Sequence, residues 1–166
     1  MERKQLLAKL IPQTNPAVKY VPHRFDLEDF FRETTKDDEE GLILKDVDSR
    51  YEPGKRSFHW LKVKNWRSAH CKVVGWTQGS NARSSLFGAL VLTNEEGRFC
   101  GLVGGGFDEL ELRKIKGILQ SSPVTLRPFE IDQPYTAVDV DLKVEVRFYK
   151  PSENGILRFP TFKGVA

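Results

Sequence analysis

Apolar positions early in the chain recur with helical and then strand-like spacing. Leu6, Leu7 and Leu10 share one helical face in ERKQLLAKLI and predict a short amphipathic helix ended by Pro12. Asn15-Pro16 marks a turn, and residues 18–21 read as a strand stopped by Pro22. Asp26 stands where it would cap a second helix, DLEDFFRETTK, with Asp29 helping at the third position. The apolar run GLILK at 41–45 is typical of a buried strand. A loop containing Pro and Gly follows, and then residues 59–64 alternate strictly. Trp60, Lys62 and Lys64 fall on one face, Leu61 and Val63 on the other.

After Asn65 the character changes. Residues 72–76, 85–92 and 98–103 read as short strands separated by the turn signals QGSN and NEEG. One helix interrupts them after Gly104-Gly105-Gly106, with Asp108 at the cap, Glu111 three residues on, and Leu112, Ile115 and Leu119 on one face. Strands resume at 142–149 and 156–159. Around five strands with one helix among them predict a five-stranded Greek-key barrel of the OB type, with a split sandwich as the alternative. The expected class is mainly β with α, in two parts: residues 1–65 and residues 66–166.

Composition narrows the setting. With 39% hydrophobic and 30% charged residues the chain has the balance of a soluble globular protein. No stretch approaches the roughly 20 apolar residues of a membrane span, so no membrane partner is expected. The charged first ten residues lack a cleavage-site pattern and do not read as a signal peptide. Cys71 and Cys100 are far apart with no CxxC, and read as free thiols of a reducing cytoplasm. With His23, His59 and His70 they do not complete metal-ligand spacing. Charge is unevenly spread. Residues 26–40 carry eight acids against Arg32 and Lys36, whereas residues 49–83 carry eight cations against Glu52 alone. That basic block is a candidate for phosphate contact through Arg50, Lys55, Arg56, Arg67, Lys72 and Arg83; a solvated basic surface is the bland alternative.

The block contains a denser pattern. Glu40-Gly-Leu-Ile-Leu-Lys45 is followed by Asp48-Ser-Arg-Tyr-Glu-Pro-Gly-Lys-Arg-Ser57 and then by Trp60-Leu-Lys-Val-Lys64. Lys62 and Lys64 project from one strand face, about 7 Å apart, which is repulsive unless an anion lies between or above them. These segments resemble, in order and spacing, the ATP-dependent DNA ligases, whose motif IV reads EGxxxK and motif V WxKxK, with SxYxPGKRS between them. The resemblance implies that Lys62 and Lys64 face the α-phosphate of a bound adenylate and neutralise charge during nucleotidyl transfer. It implies that Glu40 holds a divalent metal, Mg2+, directly or through water. RNA capping enzymes and RNA ligases share motifs IV and V, but the segment between the motifs argues against them.

The second region resembles the OB domain of the same superfamily, and more narrowly end-joining ligases of the ligase D type. VVGWTQG at 73–79, LFGALVL at 86–92, GLVGGGF at 101–107 followed by ELELR, and VEVRF at 144–148 carry that likeness. Arg158-Phe-Pro-Thr-Phe162 resembles the start of motif VI, whose usual Arg-x-Asp-Lys ending is replaced by Lys163-Gly-Val-Ala166. The family's nucleophilic lysine belongs to a KxDG motif, and this sequence contains no Asp-Gly dipeptide. The expectation is therefore the last third or so of a ligase: an end of the adenylation domain plus an OB domain, inactive alone. In that reading ATP and Mg2+ serve the complete enzyme in DNA repair, recombination and end joining. DNA is the partner, together with a separate fragment carrying KxDG. A stand-alone, non-catalytic nucleic-acid-binding OB module is the alternative.

Overall fold

The computed structural model describes residues 2–11 and 17–166; the helix stop read at Pro12 and the turn at Asn15-Pro16 lie outside the described residues. The chain divides into two compact units, Met1–Asn65 and Trp66–Ala166.

The first unit holds two helices and one hairpin. Helix α1 spans Glu2–Leu10 and leaves Leu6, Leu7 and Leu10 exposed. Residues 18–21 form no strand. Helix α2 spans Leu27–Lys36 with Asp26 at its N-cap position, but the Asp26 side chain makes no capping bond. Arg24 takes that carboxylate instead, Nε donating to Oδ1 at 2.9 Å, and its guanidinium holds Asp26 below the usual carboxylate range. Strands β1 (Gly41–Lys45) and β2 (Trp60–Lys64) pair antiparallel, with Gly41 opposite Lys64 and Ile43 opposite Lys62. The expected burial of β1 is confined to Leu42; Ile43 is 50% exposed. Polar alternation on β2 and an uncovered β1 face leave this unit with almost no core of its own, and a two-stranded ribbon is marginal without one.

The second unit is mainly β. Strands β3 (Arg67–Gln78), β4 (Phe87–Thr93), β5 (Phe99–Val103), β6 (Tyr135–Ala137), β7 (Lys143–Phe148) and β8 (Thr161–Val165) form one sheet in the order β5-β4-β3-β7-β8, with β6 added on β3. Helix α3, Glu109–Ser121, begins with the reciprocal cap read from sequence: Asp108 accepts from the Glu111 N–H and the Glu111 side chain accepts from the Asp108 N–H. Leu112, Ile115 and Leu119 are buried on its inner face against Val73, Leu90, Leu92, Val144 and Val146. Phe107 stacks on Phe162 and meets Phe87 edge-on, closing the helix end of this core.

The mainly β class expected from sequence is what forms, without closure of the strands into a complete barrel. The sheet stays open between β5 and β8. The segment between β7 and β8, read from sequence as a strand at 156–159, folds back on residues 149–152 through an isolated bridge, Pro151 to Leu157, with the Tyr149 N–H donating to the Arg158 carbonyl and the Arg158 N–H to the Lys150 carbonyl; toward β5 and the turn after it, the Leu157 N–H donates to the Cys100 carbonyl and the Phe162 N–H to the Gly105 carbonyl. Pro151 and Pro160 lack N–H donors, and Phe159 sits at φ 54, so no continuous ladder can run there. β3 is much longer than the strand read at 72–76 because its first half carries polar residues outward while Ala69 and Cys71 face in.

Candidate functional site

Gly41 fixes the geometry of the site in the first unit. Its φ is +129, and a Cβ there would lie 2.1 Å from the Val63 carbonyl oxygen, so only glycine lets β1 close on β2 at this point. The Asn65 N–H donates to the Glu40 carbonyl at 2.9 Å, and Asn65, itself buried, tethers the end of β2 to the start of β1. Glu40 is thereby brought to the end of the hairpin across from Lys64 and Lys62. Lys62 Nζ forms an ion pair with Glu40 Oε1, and Lys64 Nζ lies 3.9 Å from the same oxygen. One carboxylate thus faces two ammonium groups. The two lysine side chains are 50% and 27% exposed, so each pair is a weak, solvent-screened interaction and the local charge remains positive. Such an arrangement can exchange the carboxylate for a phosphate oxygen at little cost.

Among the described residues no group of three or more His, Cys, Asp or Glu converges on one point. Glu40 alone does not make a cage. It fits an ion such as Mg2+, which keeps several waters and takes oxygens from a bound phosphate.

The loop between β1 and β2 carries Arg50, Lys55 and Arg56 around an open hollow of about 470 Å³, with Tyr51, Ser57 and Trp60. Its base is braced by Asp46 and His59: the Asp46 N–H donates to the His59 carbonyl, and the two side chains meet at 3.0 Å. The Asp48 N–H and then His59 hold the Asp46 carboxyl below its ordinary range. Lys55 shares its charge with Glu52 at 3.6 Å, and Lys45 lies 3.9 Å from the centroid of the Trp60 ring.

The remaining candidates belong to the second unit. Arg67 and Lys72 are exposed on β3. Lys72 is directly opposite Lys143 on β7, a like-charge pair that the single-strand pattern could not reveal because it depends on strand register. Arg147, also unread in the sequence, lies over the Trp66 ring at 4.7 Å. Arg83 spends one arm on structure, donating to the Gly104 carbonyl at 2.7 Å. Arg158 is exposed between the Tyr149 and Phe159 rings, and Lys163 is exposed on β8.

Residues 1–64 match the ATP dependent DNA ligase domain family. The chain is 40% identical over 135 residues to the multifunctional non-homologous end joining protein LigD of Mycolicibacterium smegmatis, a match that covers 76% of this chain and 18% of that protein. The chain belongs to the ATP-dependent DNA ligase family. Among solved structures, the ligase domain of M. tuberculosis LigD aligns with 99% of this ligase-family chain and 56% of its own, at TM-score 0.55 and 31% identity. A Lig E DNA ligase aligns over the same shares at TM-score 0.66 and 25% identity. This ligase-family chain therefore spans under a fifth of the length of its curated LigD relatives and just over half of those solved chains. No described helix is long and apolar enough to cross a membrane.

Proposed function

We propose that this chain supplies the phosphate-binding end of an ATP-dependent DNA ligase of the LigD type, together with an OB-type DNA-binding domain over residues 66–166. The convergence of Lys62 and Lys64 on Glu40 carries the reading. In the reaction a lysine from the KxDG motif attacks ATP, AMP passes to a DNA 5′-phosphate, and a 3′-hydroxyl displaces AMP to seal the strand. Lys62 and Lys64 bind the α-phosphate and stabilise the negative charge that grows on its oxygens as each bond exchanges. Glu40 releases Lys62 when the phosphate arrives. Glu40 would be the residue that holds Mg2+, and the ion would supply further positive charge at the same phosphate. Arg50, Lys55, Arg56, Arg67, Lys72 and Arg83 contact the DNA backbone, Arg158 and Lys163 stand at the partial motif VI, and the setting is cytoplasmic DNA repair, recombination and end joining.

The 166 residues contain no Asp-Gly dipeptide, so incubation with ATP and Mg2+ should give no covalent AMP on this chain. Mixed with a fragment of a close relative carrying KxDG, it should support nick sealing. Lys62→Ala should lower that rate about a hundredfold, the usual cost of deleting one charged hydrogen-bond donor that acts at a transition state. Lys62→Arg should restore only part, since a planar guanidinium does not replace a compact ammonium. An unchanged rate for Lys62→Ala would sink the assignment.

A second reading, a non-catalytic nucleic-acid-binding module, is favoured by one observation: nearly all of the buried apolar core belongs to the second unit. In that case residues 66–166 alone would bind DNA as tightly as the whole chain.

A further inference from the structure

Two thiols that no ligation step uses meet in the core of the second unit. Cys71 lies on β3 and Cys100 on β5, each 3% exposed, with their sulfurs 3.7 Å apart. β4 separates those strands in the sheet, so the encounter is not ordinary cross-strand pairing. It arises from a bulge. Leu92 pairs with Gly101 and Thr93 with Phe99, which leaves Cys100 as the extra residue of β5. Bulges re-aim side chains, and this one sends Cys100 into the main core while Phe99 and Leu102 pack on the smaller cluster with Val91 and Tyr135. Gly101, at φ +132, supplies the backbone turn the bulge needs.

We propose that Cys71 and Cys100 form a peroxide-responsive disulfide that staples β3 to β5. A disulfide bond is about 2.05 Å long, so side-chain adjustment of under about 2 Å joins the sulfurs. The Cys100 thiol donates to Cys71 Sγ, and that bond holds the Cys71 thiol below its ordinary range while pushing Cys100 up, with burial adding to the rise. The attack falls to Cys71, the acceptor of that bond. It displaces hydroxide from hydrogen peroxide: an S–O bond forms, the O–O bond breaks, and the hydroxide leaves as water with the Cys71 proton. Cys100 then attacks the sulfenic sulfur; the S–S bond forms, the S–O bond breaks, and a second water leaves with the Cys100 proton. Two electrons pass from the sulfurs to the peroxide.

The test exposes the folded, full chain to hydrogen peroxide, then denatures, alkylates and digests it without reductant. The expected product is a Cys71 peptide joined to a Cys100 peptide, about 2 Da lighter than the two thiol peptides together, formed at least about tenfold faster than in denaturant and reversed by dithiothreitol. In Cys100→Ser, Cys71 should stop at a sulfenic acid that dimedone captures. Thiols still open to alkylation after a dose that oxidises the denatured chain would overturn the proposal. So would sulfinic acid on unjoined cysteines or links only between chains.

Discussion

The two units differ in what holds them together. In the second, Leu90, Leu92, Val73, Val144 and Val146 are fully buried between a six-stranded sheet and a capped helix. In the first, Leu42 is the one apolar side chain buried among the described residues, while Phe58 is 95% exposed and Leu6, Leu10, Val21 and Phe25 also face solvent. Yet the residues with the sharpest chemical pattern, Glu40, Lys62 and Lys64, lie in the unit with almost no core. Precision there comes from backbone: a glycine at φ +129 and an Asn65 tether set the register of two short strands. Burial makes a scaffold, but a positioned charge cluster needs only a fixed register.

Core substitutions sharpen this contrast most. Leu92→Ala should cost about 2–5 kcal/mol, because it empties a fully buried, packed site of most of its side chain, whereas Ile43→Ala should stay within about 0.5 kcal/mol. Urea melts of both variants, read by circular dichroism, check it; equal costs would mean that the first unit has a core of comparable worth.

A smaller effect concerns the basic residues. If about four of them meet phosphates, the logarithm of the DNA affinity should fall with the logarithm of salt at a slope of roughly −3 to −4, and Lys72→Ala should reduce that slope by about one. Lys72 lies directly opposite Lys143 in the ladder, with Glu145 two residues along opposite His70. A salt titration by fluorescence anisotropy that shows no slope would remove the nucleic-acid contact from both units.

The smallest effect is on acid stability. The Asp46 carboxyl is held below its ordinary value of 3.8, so its contribution to the loop is fully present above that pH and is lost as the pH falls through the folded-state value. Asp46→Asn should remove that acid sensitivity. Hydrogen exchange across residues 46–59 between pH 5 and pH 3 checks it, and an equal pH response in the variant would assign the sensitivity elsewhere.

Much of this was legible in sequence where a local rule operates. The alternation on β2 places Lys62 and Lys64 on one face, and Asp108 with Glu111 marks the start of α3. Features that depend on distant partners were not. Asp26 has the right position for a cap, but Arg24 competes for its carboxylate. β6 is three residues long and exists only because β3 offers it an edge. The segment read as a strand at 156–159 is flanked by Pro151 and Pro160 and forms only an isolated bridge. Glu40 meeting both lysines follows from the pairing of β1 with β2, which no local rule predicts and the register defines.

Lys116 and Trp76 give the second unit an optical signature. The Lys116 ammonium, pushed down in pKa by burial, sits 3.3 Å from the centroid of the Trp76 ring, and the buried indole Nε1 meets no protein acceptor among the described residues. An indole shielded from water is expected to emit at shorter wavelength than a hydrated one and to shift to the red on unfolding. Trp60, 43% exposed in the first unit, should change its emission less on unfolding. The blue edge of the fluorescence spectrum should therefore report mainly on Trp76 and Trp66 of the second unit, without a dye or an added label.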